Sequence, residues 1–349
     1  MRRILNILTK NQALVVTLVI GVFLRFYKLT GFVTFLGDQG RDAIIVKRIL
    51  TGEHFPAIGP PTSIGQVYSG PFYYYFIAPW LLLFNFNPIG LAVCVAFFSS
   101  IYLLINYLIV KELFDKKVVL ISTILLSFSS VLIDFSHFSW NPNLLPLFTL
   151  LTVYFVIKGL QTSRWYFFAL SGAFLSFSIQ LHYLALFLIP PIGILLMATF
   201  KKIKQSNNET MNQLKNYLLM SFSFILFSSP LIIFDLRHNF LNSKLLLALF
   251  QSSGTSFLTK FNSLFDSFYF LNLYSFNINL SKFIIYLLLF FLSIILFTLI
   301  KKKSNLKIFL FIFLFTILGM SLYSGPKHPH YFVILYPLYY IIISYFLAI

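Results

Sequence analysis

Apolar runs separated by short basic breaks recur along the whole chain. Segments such as Tyr217 to Phe234, Leu288 to Ile300 and Ile308 to Tyr323 lie in runs that approach the ~20 apolar residues a bilayer crossing needs. The breaks between runs read KELFDKK (111–117), KGLQTSR (158–164), KKIKQSNNETMNQLK (201–215) and KKKSNLK (301–307). This alternation predicts an all-α, polytopic transmembrane protein. Two stretches depart from it. GPFYYYFIAPWLLLF (70–84) is short, rich in Tyr and Trp and interrupted by Pro79, which predicts an interfacial helix in place of a span. FLGDQGRDAIIVKRIL (35–50) crowds Asp38, Arg41, Asp42, Lys47 and Arg48 into eleven residues, with Ile44, Ile45 and Ile49 expected on the oily side of an amphipathic helix.

Lys and Arg in short loops mark the cytoplasmic side. Sixteen of the 26 lie in the four breaks and the first ten residues, so all five segments are placed inside. Alternation then gives about ten spans, near 12–31, 88–110, 117–134, 143–158, 165–181, 183–200, 216–234, 281–300, 308–323 and 331–349. The expected organisation is one membrane domain over 1–349, in the cell membrane, with the N-terminus cytoplasmic and no soluble domain. Residues 32–87 form a first outer loop carrying interfacial helices, and 235–280 form a long outer loop. Six of the nine acids (Asp38, Asp42, Glu53, Asp134, Asp235, Asp266) and all six histidines (His54, His137, His182, His238, His328, His330) fall on the outer side. Polar chemistry is therefore expected at that face.

Composition narrows the classes further. The chain is 59% hydrophobic and 10% charged, too apolar for a water-soluble core to cover. A net charge of +17 would suggest nucleic acid in a soluble protein; here topology accounts for it, and no nucleic-acid partner is expected. One cysteine, Cys94, excludes an internal disulfide. There is no phosphate-binding loop, dinucleotide fingerprint or zinc-spaced His/Cys set. His137, His182, His328 and His330 lack ligand spacing, although outer loops could bring them together.

LRFYKLTGFVTFLGDQGRDAIIVKRIL resembles the end of the first span and the start of the first outer loop of GT-C glycosyltransferases. It is most similar to glycosyltransferase family 39, which includes protein O-mannosyltransferases and lipid A aminoarabinose transferases. SGPFYYYFIAPWLLL is similar to that family's interfacial helix, and YLIVKELFDKKVVLISTILL to its first cytoplasmic turn. SHFSWNPNLLPLFTLL takes the place of its second outer motif, and PKHPHYFVILYP that of its last outer loop. The resemblance covers about residues 10–160 well and the remainder weakly. It implies a GT-C fold and transfer of a sugar from a polyprenyl-phosphate donor to a hydroxyl on the outer face, with inversion. The acceptor is left open among lipid, glycan and protein, and membrane lipids surround the whole.

Such chemistry needs a carboxylate to take the hydroxyl proton and cations to hold the phosphate. By resemblance Asp38 is the general base or acceptor-orienting residue; the alternative is a loop Asp. Asp42 suits an N-cap for a helix over 42–50. Arg41 is placed to pair with Asp38 and tune it. Gln39 stands where relatives carry a second acid, which weakens a metal site there; no cofactor is assigned and a divalent cation is left open. Asn141 occupies the second acidic position, with Asn143 after it; Asn binds hydroxyls but is no base at neutral pH. Asp134 is either a membrane-boundary acid or a substitute. Lys327, set between Pro326 and Pro329, is the leading phosphate candidate, with His328 and His330 as neutral donors or acceptors. Arg237 with His238 is a second candidate, unless Arg237 caps its helix and pairs with Asp235. Arg25, Lys28, Lys47 and Arg48 read as headgroup-snorkelling cations, with phosphate contact the alternative for Arg25 and Lys28, and His182 as an interface histidine. Two rival readings survive: a transporter or flippase of lipid-linked saccharides, and a silent lipid-binding relative.

Overall fold

The computed structural model describes residues 12–62, 67–203, 210–252, 257–277, 279, 284, 305–323 and 327–349. Apart from Ile284, the expected span at 281–300 lies outside the described residues, as does the basic start of the chain. The described residues are mostly helical, with one isolated antiparallel bridge between Pro61 and Tyr68.

The chain enters through α1 (Gln12–Phe26), a four-residue turn α2 (Leu29–Phe32) and the amphipathic α3 (Gly37–Leu50). α4 (Phe72–Leu83) follows, then α5 (Ile89–Leu113), α6 (Lys116–Ser127) and α7 (Ser130–Ser136). α8 (Leu145–Thr162), α9 (Trp165–Leu181), α10 (Ile189–Ile203) and α11 (Thr210–Arg237) form the middle. The last part is α12 (Leu241–Ser252), α13 (Phe257–Phe276), α14 (Asn305–Ser321) and α15 (Tyr336–Ala348). Three short 3-10 turns, Asn141–Leu144, Tyr183–Leu188 and Pro329–Phe332, lead into α8, α10 and the approach to α15.

Four stretches are long and apolar enough to cross a membrane: Ile89–Leu113, Asn141–Thr162, Tyr183–Lys201 and Met211–Arg237. A fifth is the pair α6–α7, bent by 54° at Phe128–Ser129. The helices at 12–26, 165–181, 305–321 and 336–348 are apolar but shorter. The break splits the expected 117–134 span, and α13 packs against α14 and α7, so the expected 235–280 loop contains helix that belongs to the bundle.

Local sequence explains several of these features. Pro88, Pro142 and Pro329 stand at helix starts, where a missing N–H costs nothing. α9 packs closely on α11 because Gly172 has no side chain: a Cβ there would lie 2.1 Å from the Met220 carbonyl oxygen. α4, at 12 residues, is too short to cross a bilayer. It buries Tyr73, Tyr74, Ile77, Ala78 and Leu81 between α3 and α5.

The bent span is held by a charge the sequence pattern places among headgroups. Arg25 does not snorkel; it is fully buried. Its Nη2 donates to the Leu126 carbonyl (3.1 Å), its Nη1 to the Gly21 (2.8 Å) and Ser127 (3.4 Å) carbonyls, and its Nε to Ser99 Oγ (2.9 Å). A break in a helix frees carbonyls, and in lipid each must find a donor inside the protein. Arg25 supplies it from α1. Ser129, just past the break, shares a hydrogen bond with the Tyr340 hydroxyl of α15 (2.7 Å).

Candidate functional site

α3 begins at Gly37, five residues before the expected start, and this changes the roles of its polar side chains. Asp42 is not a cap; it lies inside the helix and is fully buried. The capping is done by Gln39, whose Oε1 accepts the Leu36 N–H (2.9 Å). The buried face runs through Gln39, Asp42, Ala43, Val46 and Ile49, so Ile44 faces outward at 62% exposure and is not on the packed side. Lys47 and Arg48 close the helix exposed, and Arg48 pairs with Glu53 at 3.8 Å.

One guanidinium joins two carboxylates. Arg41 Nη1 donates to Asp38 Oδ1 (2.8 Å), while Nε and Nη2 both donate to Asp42 Oδ1 (2.9 and 2.7 Å). The Asp38 side chain is half exposed and that of Asp42 is not exposed at all, so the set has an anchored end and an open end. Asp42 Oδ2 is buried and meets no donor at hydrogen-bonding geometry. Burial pushes the Asp42 carboxyl up to about 6, against the opposing pull of Arg41.

The segment 137–143 gathers the elements around this helix. Gln39 Nε2 donates to the Ser139 carbonyl (3.1 Å), and Ser139 Oγ shares a hydrogen bond with the Tyr73 hydroxyl (2.6 Å). His137 Nδ1 and Nε2 reach the carbonyls of Ile133 and Tyr27 (2.7 and 3.2 Å), tying the second motif to the end of α1. Asn141 Nδ2 donates to the Leu181 carbonyl (2.6 Å), and Asn143 Nδ2 to that of Phe138 (2.9 Å), so both amides hold the chain's turns. Trp140 packs on His330 with ring centroids 4.6 Å apart. His330 in turn lies near His182 (6.0 Å) and runs parallel to His328 (5.7 Å, 10°). Asp38, Arg41, Asp42, Asn141, Asn143, His328 and His330 therefore belong to one connected end of the molecule.

Other candidates lie elsewhere or are already engaged. Asp134 is exposed on α7 and shares no hydrogen bond with this set. Lys327 is nine-tenths buried, and its Nζ donates to the Met320 (3.2 Å) and Tyr323 carbonyls at the end of α14. Burial pushes its ammonium down to about 8, with Asp266 pulling the other way. Arg237 is exposed and does not pair with Asp235, whose carboxylate accepts the Asn242 N–H (2.7 Å) and the Ser243 hydroxyl at the start of α12. Among the described residues, no three His, Cys, Asp or Glu side chains gather closely enough to hold a metal ion.

Residues 68–233 match the family model for dolichyl-phosphate-mannose-protein mannosyltransferases. The fold superposes on ArnT from Cupriavidus metallidurans bound to undecaprenyl phosphate, with a TM-score of 0.62 at 14% identity over 96% of this chain and 60% of that one. The chain has a GT-C glycosyltransferase fold. The archaeal oligosaccharyltransferase AglB from Archaeoglobus fulgidus, in complex with an inhibitory peptide and a dolichol-phosphate, matches at a TM-score of 0.51 and 14% identity, over 95% and 49% of the two chains. The Archaeoglobus fulgidus oligosaccharyltransferase complex with Zn and sulfate matches at 0.53 and 12%, over 95% and 48%. The chain thus spans about three-fifths of the first of these proteins and about half of the others. No curated protein matches it in sequence. The family match starts after Asp42 and ends before Arg237 and Lys327.

Sequence reasoning passed over three residues that build this end, Trp140, Ser139 and Tyr73, and it placed the buried Arg25 among headgroups. Trp140 had a signal, an aromatic beside the Asn-Pro-Asn turn. The others had none, since a buried serine or tyrosine looks like core until its partner is known.

Proposed function

We propose that this protein transfers a sugar from a polyprenyl-phosphate carrier to an acceptor hydroxyl, with inversion, at the outer face of the membrane. The observation that carries the reading is the Asp38–Arg41–Asp42 set in a GT-C fold, with a carboxylate half open to solvent at its end. In the proposed reaction the acceptor oxygen attacks the anomeric carbon and the hydroxyl proton passes to Asp38. The bond from that carbon to the lipid phosphate oxygen breaks, and its electron pair leaves with the phosphate. Arg41, fixed by buried Asp42, holds Asp38 in place. Asn141 and Asn143 shape the turn beside it, and His328 and His330 lie on its far side.

Lys327 remains the proposed phosphate contact, and to act it must exchange the Met320 and Tyr323 carbonyls for phosphate oxygens. Arg237 is the second cation and Asp134 an auxiliary acid in the same proposal. The reading includes about ten spans, a cytoplasmic N-terminus and one domain over 1–349, and it routes no step through a cation. Undecaprenyl and dolichol phosphates in ArnT and AglB support a lipid-phosphate donor here.

The bent pair α6–α7 favours one rival. Broken spans line substrate paths in transporters, and here the break has a buried arginine beside it. Purified protein should be given a panel of radiolabelled polyprenyl-phosphate sugars with lipid, glycan and peptide acceptors. Turnover with one donor is expected. Saturable lipid binding with movement across vesicles and no transfer would instead establish the transporter.

A further inference from the structure

Three 3-10 turns meet beside the carboxylate set, and each delivers an aromatic ring. Trp140 precedes Asn141–Leu144, His182 precedes Tyr183–Leu188, and His330 lies within Pro329–Phe332; both Trp140 and His182 have extended backbones. Their rings form a continuous cluster. Trp140 lies on His330 at 4.6 Å, Tyr331 meets His330 edge-on at 4.4 Å, and His182 lies 5.9 Å from Tyr331. Trp140, His182, His330 and Tyr331 are all half-buried, so the cluster is packed from behind and reachable from the front.

We infer that the Trp140–His330 pair, with His182 and His328 around it, is a carbohydrate platform that receives the pyranose ring of the sugar being transferred. This rests on the glycosyltransferase reading and names the part of the substrate these residues recognise. The chemistry of the cluster argues for a neutral polyol. A pyranose offers a C–H face that packs on aromatic rings and a rim of hydroxyls that need partners. His182 Nδ1 accepts the Leu184 N–H (3.2 Å), but neither His328 nor His330 spends a ring nitrogen on a hydrogen bond among the described residues. Burial, reinforced by the neighbouring imidazoles, pushes His330 down to about 3, and burial alone pushes His182 down to about 4. The His182 and His330 rings are uncharged at neutral pH and poorly suited to phosphate, while a lipid tail would leave their nitrogens without partners. The location fits as well. Ser139, which holds Gln39 of the carboxylate helix, is the residue before Trp140, so the platform and the proposed base are joined through one short segment.

The test uses full-length protein in nanodiscs and compares binding of bare undecaprenyl phosphate with binding of undecaprenyl-phosphate mannose, glucose, galactose and aminoarabinose. One sugar-bearing lipid should bind about tenfold tighter than the bare carrier, the increment expected for a ring stacked on an aromatic pair. Trp140→Ala and His330→Gln should each lose that gain and keep the affinity for the bare carrier, while Trp140→Phe should keep part of it. His330→Gln changes no packed indole, so it guards against a Trp140→Ala variant that fails to fold. The inference is overturned if either variant keeps the sugar-dependent gain, or if the wild type binds every lipid alike. Failure to bind even the bare carrier would overturn the glycosyltransferase reading itself, and the inference with it.

Discussion

At the scale of single residues, burial separates two arginines that look alike in the sequence. Arg41 is partly open and bridges Asp38 to Asp42, whereas Arg25 is sealed among carbonyls at a helix break. Replacing Arg25 by Met strands the Leu126 and Ser127 carbonyls. It should cost about 2–4 kcal/mol, read as a lower thermal midpoint in detergent. Lys28, three residues on, is exposed over the Tyr27 ring, and its removal should cost nothing measurable. Asp42 gives a pH signature. Its carboxyl titrates near 6 in the folded chain against an ordinary value of 3.8, so the folded state binds the proton more tightly. The contribution of Asp42 to stability should therefore rise as pH falls from about 6 to about 4 and level off below. The melting difference between wild type and Asp42→Asn should move in favour of wild type over that window; a difference that is flat with pH would contradict this role.

Among the elements, the apolar periodicity and the basic breaks marked most helices correctly, because the run lengths set by bilayer thickness are written directly in the sequence. They missed the bend at Phe128–Ser129, since the hydrophobic run continues through it and the donor that permits it sits about a hundred residues away on α1. They also missed the true start of α3, because Leu36 is an unusual cap and Gln39 substitutes for it with its own side chain. The 235–280 region read as a loop because its helices carry mixed polar faces, yet α13 packs on α14. The α9–α11 contact depends on Gly172. Gly172→Ala would press a methyl on the Met220 carbonyl and should destabilise the protein by about 1–3 kcal/mol, while Gly193→Ala, which meets open space, should not.

For the whole molecule, the candidate site was legible as a set of motifs in order, but not as a set of contacts. The acid at 38, the aromatic 70–84 stretch, the Asn-Pro-Asn turn and the Pro-Lys-His-Pro-His loop were all visible in sequence. Their convergence on Ser139 and Trp140 was not, because it depends on where α4, α9 and α15 end in space. The central claim is that the open end of the carboxylate set takes the acceptor's proton. The most direct measurement is sugar transfer by Asp38→Asn beside wild type, with carrier-lipid binding recorded on the same samples. The account predicts that turnover falls about 10²–10⁴-fold while lipid binding is unchanged. Full turnover in Asp38→Asn would contradict it.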